Sequence, residues 1–148
     1  MRHIAAIQAL RVGPWPGSAR AATAAAGVLL VATALMAGAA GVAAQRICML
    51  FVLAPLVEEA ILRAGLHEAL LRRMDSPWAA NALTALAFGL AHALARGDAA
   101  ALGVALPAWL IGAVYQRSRR LRDCVALHAA MNAAWLASAL VGFTLPAR

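Results

Sequence analysis

The sequence predicts an all-α fold: a polytopic membrane helical bundle of about five transmembrane helices. Three observations predict it. The 148 residues are 64% hydrophobic and 13% charged, where a soluble domain carries about 25% charged residues, and the mean hydropathy is +0.78. Five apolar stretches reach the length of about 18 residues that a membrane helix needs. The 13 basic residues are all arginines and lie mainly between those stretches. The length suits one domain. A formal charge of +7 would suggest nucleic acid in a soluble chain, but positive-inside topology accounts for these arginines, and no nucleic-acid partner is expected.

Taken in order, residues 1–20 are expected to form a cytoplasmic N-terminal segment. Within it Gly13-Pro-Trp-Pro-Gly17 reads as an interfacial elbow with Trp15 near the headgroups. The first span, 21–44, lies outside the region that carries chemistry. Its basic start and closing Val42-Ala-Ala44 resemble a signal peptide, but the apolar stretch exceeds a usual signal core, which favours an uncleaved helix. Residues 45–148 form the expected functional core, with spans at Ile47–Leu71, Trp78–Ala95, Ala99–Gln116 and Cys124–Phe143. Alanine and glycine, as in Gly38-Ala-Ala-Gly41, let the helix backbones approach closely. No strand-like alternation competes. Cys48 and Cys124 form neither a CxxC pair nor a disulfide framework and read as packing residues.

The connectors set the orientation. Arg2, Arg11, Arg20, Arg72, Arg73, Arg117, Arg119, Arg120 and Arg122 fall on one side, and Arg46, Arg96 and Arg148 on the other. That asymmetry predicts a cytoplasmic N-terminus and an external C-terminus. The Arg117–Arg122 cluster also suits anionic lipid, although topology alone explains it.

The polar residues inside the spans carry the functional reading. Each mid-bilayer acid costs roughly 2.5–3.5 kcal/mol, yet Glu58 and Glu59 sit side by side in an apolar run. Glu59 and Arg63 are four apart and share a helix face. Glu58 lies about 100° round and lacks such a local partner, so its surroundings suit a general base. The third span holds Phe88-Gly-Leu-Ala-His92, whose four-residue spacing packs a ring beside the imidazole. The fifth holds His128-Ala-Ala-Met-Asn132, two hydrogen-bonding side chains on one face. These suit an oxyanion site or, equally, an interhelical polar clamp. Each motif alone reads best as structure; three of them on three spans point to chemistry. Other chemistries lack their residues. His67-Glu68 opens a zinc HExxH motif, but Leu71 stands where the second histidine belongs. No serine sits in a GxSxG elbow, and Asp75, Asp98 and Asp123 fall at span edges.

Together Glu58-Glu59-Ala-Ile-Leu-Arg63, Phe88-Gly-Leu-Ala-His92 and His128-Ala-Ala-Met-Asn132 match EExxxR, FxxxH and HxxxN in order. Over about Ala54 to Trp135 the chain resembles the CAAX prenyl endopeptidase and bacteriocin-processing (Abi) family. The resemblance implies an intramembrane glutamic endopeptidase with no metal or other cofactor. Glu58 would activate the water and His92 orient it. Glu59 and Arg63 would support the site, and His128 and Asn132 would stabilise the oxyanion. Two departures stand out: Leu62 replaces the aromatic residue common before the motif arginine, and the spans are fewer than in most members. The expected setting is a bacterial inner membrane, with the bilayer and a membrane-anchored protein or peptide as partners. The small core suggests a second copy or a partner membrane protein. Removal of a C-terminal sorting or anchor segment is the preferred reaction.

Two other function classes remain open: a non-catalytic immunity or adaptor protein, and a small transporter subunit using Glu58 as proton carrier. One geometric tension accompanies all three. On the drawn spans Glu58 lies near mid-membrane while His128 is about one turn from its span edge. A shared depth requires tilted helices or a fifth span beginning near Leu121.

Overall fold

The computed structural model describes residues 18–142, with side chains from residue 24; the proposed elbow around Trp15 lies outside them. Every regular element among the described residues is helical. Among them we number five helices: α1 (Ser18–Ala39), α2 (residues 44–71), α3 (Pro77–Arg96), α4 (Ala99–Ser118) and α5 (Leu121–Leu140). They coincide with the five expected spans to within a few residues. Among the described residues α3 and α4, each 20 residues long, are long and apolar enough to cross a membrane on those two criteria alone, while the apolar part of α1, Ala24–Ala39, is shorter.

The boundaries follow local chemistry. Ser76 caps α3, its hydroxyl accepting from Ala79 N at 3.2 Å, and Pro77 occupies the first turn, where a missing N–H costs nothing. Gly97 ends α3 at φ 64°, a left-handed conformation that suits glycine. Asp98 then starts α4 by accepting from Ala100 N at 2.9 Å. The first turns of α4, Ala99–Val104, are 3-10 in geometry, and the α-helix proper begins at Ala105. This places Pro107 in an opening turn, where its ring meets no intrahelical bond.

The second helix departs from a simple span. Two π-helical stretches, Met49–Leu53 and Ala60–His67, interrupt it. The first immediately precedes Pro55, whose ring would crowd the carbonyl four residues back in a regular helix. The second lies beside the polar residues and changes their register. Pro55, Glu59, Arg63 and His67 recur every four residues, and all four are less than 2% exposed. In a regular α-helix such a row drifts by roughly 40° per step. A π turn takes more than four residues and holds the row on one side.

The described residues divide into two compact units, residues 58–124 and residues 18–57 with 125–142. In the first, Leu62, Ala85, Phe88 and Ala108 make an apolar core with Val104 packed against it. Gly89 lets α3 and α4 meet, since a β-carbon there would lie 2.9 Å from Ala105 Cβ. At one end of this unit, Tyr115 donates to Glu68 at 2.8 Å and Arg119 pairs with the same carboxylate. Arg119 holds a left-handed φ of 54° and lies over the Tyr115 ring. Gln116 donates to the Pro77 carbonyl and approaches His67 Nε2 at 3.5 Å. In the second unit, Asn132 of α5 donates to the Leu50 carbonyl of α2 at 2.9 Å.

Burial is inverted relative to a water-soluble helix. On α2, Leu56 is 48% and Ile61 64% exposed, whereas Glu59 and Arg63 are buried. Water would penalise that arrangement; a hydrocarbon surround favours it.

Candidate functional site

The motif glutamates sit where the second α segment of α2, Ala54–Glu59, meets its π stretch. Glu59 Oε2 accepts from Arg63 Nε at 2.7 Å, with exposures of 1% and 0%. Such a charge-assisted contact is short and strong, and each partner removes the isolated charge of the other. Arg63 also donates through Nη2 to the Ala108 carbonyl of α4 at 2.9 Å. The planar fork of arginine allows both bonds at once; lysine would offer a point charge. Glu58 is half-buried on a different azimuth of the same helix.

His92 is half-buried near the end of α3. Its ring lies 4.2 Å, centroid to centroid, from Phe88, and Nδ1 donates to the Phe88 carbonyl at 3.2 Å. With the proton on Nδ1, the Nε2 lone pair remains an acceptor. The FxxxH spacing therefore sets the position of the imidazole and suits the tautomer that carries its proton on Nδ1.

The remaining two candidates belong to the second unit. His128 is buried, 7% exposed, and Asn132 is half-buried. Helix α5 begins at Leu121, one of the two alternatives the sequence left open, so His128 lies about two turns inside it. One amide N–H of Asn132 is taken up by Leu50, the interhelical clamp anticipated for this motif, and the amide keeps a second N–H. The structure thus joins Glu59 to Arg63 and His92 to Phe88, while His128 and Asn132 stand on the unit that does not contain Glu58.

Two participants escaped the sequence reading. His67, set aside as half of a failed zinc motif, is fully buried on the Glu59–Arg63 face and contacts Tyr115 at 5.6 Å between ring centroids. Its spacing of four from Arg63 was the available signal. Asn81 of α3 is also fully buried, donating to the Trp109 carbonyl at 3.0 Å. Nothing in its local sequence marks it. Among the described residues no three His, Cys, Asp or Glu side chains gather into a metal-binding set.

Neither the curated proteins nor the solved structures contain a match to this chain. The family model described as type II CAAX prenyl endopeptidase Rce1-like matches residues 40–134, over half the chain and a range that spans the positions of all three motifs. The chain therefore belongs to the Rce1-like family of CAAX-protease peptide hydrolases and is an integral membrane protein.

Proposed function

We propose that this protein is a glutamic intramembrane endopeptidase that removes a C-terminal sorting or anchor segment from a membrane protein. The carrying observation is the buried Glu59–Arg63 pair beside a second glutamate. Arg63 engages Glu59 directly, and we assign proton transfer to the adjacent, half-buried carboxylate of Glu58. In the proposed reaction Glu58 takes a proton from water, and the resulting hydroxide attacks the scissile carbonyl carbon. His92 orients that water through Nε2. His128 and the second amide N–H of Asn132 stabilise the tetrahedral oxyanion. Collapse expels the amine, which receives the proton held by Glu58. No metal takes part in this scheme. The proposed setting is a bacterial inner membrane with the Arg72–Arg73 and Arg117–Arg122 connectors facing the cytoplasm.

The test is purified protein in liposomes with an anchored reporter peptide. Glu58→Gln should lose about 10²–10⁴-fold in cleavage rate with unchanged folding, and chelators should leave the wild-type rate intact. Undiminished cleavage by Glu58→Gln ends the proposal. Mass spectrometry of membrane proteins from cells with and without the chain should reveal a precursor that accumulates only in its absence.

A further inference from the structure

Buried polar atoms normally find partners, and an unmet one is costly. The first unit holds a complementary pair of exceptions. Arg63 Nη1 is a buried donor with no acceptor, and Asn81 Oδ1 is a buried acceptor with no donor. Both face one glycine of α4: a β-carbon at Gly112 would stand 1.8 Å from Asn81 Oδ1 and 2.9 Å from Arg63 Nη1. A side chain at position 112 would occupy the space between them. Each group is anchored on its other side, Asn81 through Nδ2 to the Trp109 carbonyl and Arg63 through Nε and Nη2 to Glu59 and Ala108. Both atoms therefore border the same small volume beside Gly112.

We propose that Asn81 is a positioning residue for Arg63, accepting from Nη1 across the gap that Gly112 leaves and thereby holding the Glu59–Arg63 pair rigid during turnover. The proposal rests on the endopeptidase reading for its consequence and on geometry for the contact. With Asn81 in place the guanidinium is held on three edges, by α2, α3 and α4. A pair so held keeps Glu59 turned inward and presents Glu58 at a constant azimuth. Asn81 touches no reacting atom.

Two readouts test this separately. In the peptide assay Asn81→Leu should lower kcat at least tenfold with KM within twofold of wild type. Asn81→Asp, which keeps an acceptor oxygen opposite Nη1 but gives up the bond to the Trp109 carbonyl, should recover part of the loss. Independently, Asn81→Leu and Arg63→Gln enter a double-mutant cycle on the melting temperature of the full chain in detergent. The double variant should lose less than the sum of the two single losses. Wild-type kcat in Asn81→Leu, or melting losses that simply add, overturns the assignment. If the wild-type chain cleaves no peptide, the endopeptidase reading fails and the cycle alone decides on Asn81. Should Asn81→Leu not fold, Asn81→Ser, too short to reach Nη1, replaces it with the same expectations.

Discussion

Two motifs with the same four-residue spacing end in opposite arrangements. Glu59 and Arg63 bond to each other within α2 and to a carbonyl of α4. Asn132, four residues after His128, reaches instead to the Leu50 carbonyl on another helix. Charge makes the difference. Opposite ions four apart on one helix gain most by closing on each other, because each would otherwise be stranded in a low-dielectric interior. A neutral amide has no such demand and meets whichever carbonyl the packing offers. The first motif closes its ion pair within one helix; the second takes its orientation from its neighbour.

Substitutions can break or sharpen that contrast. The largest loss of stability is expected from Arg63→Ala, which strands Glu59 and should cost about 3–5 kcal/mol, read by thermal unfolding in detergent. Asn132→Ala should separate the two uses of its amide. The lost bond to Leu50 costs about 0.6 kcal/mol of stability, while the proposed oxyanion role predicts a fall in kcat of about 10²–10³-fold. A stability loss without the kinetic one reduces the motif to a clamp. Arg63→Lys keeps the charge but gives up the fork, so about 1–2 kcal/mol should be lost and the bond to Ala108 with it. Ile61→Ala, on the exposed face of the same helix, should change stability by less than about 0.5 kcal/mol. A larger change there would show that this face is covered by protein.

The inverted burial of α2 bears on how legible the chain was. Helix positions could be read because apolar length and arginine-bearing connectors are one-dimensional properties. Ser76 and Asp98 mark their ends with side chains, and Gly97 with a left-handed backbone, that act within a few residues. The Glu59–Arg63 contact and the Phe88–His92 contact were readable for the same reason, since a helix brings residues four apart together regardless of the fold. The π stretches were not, because they answer to Pro55 and to a buried row that must stay on one side of α2. Asn81 was invisible too: its importance arises where α3 crosses Gly112 of α4, and neither residue announces the other.

By itself, then, the sequence determined the helices, their caps, the intrahelical pairs and, through three ordered motifs, the family. Those features depend on neighbours along the chain and on the cost of polar groups in hydrocarbon. Tertiary structure alone decided that His67 joins the buried row, that Ala108 completes the arginine's bonding and that Leu50 takes the amide of Asn132. Each needs a partner 45 or more residues away or a local change of helical register, and such choices are settled by which helix surfaces pack together.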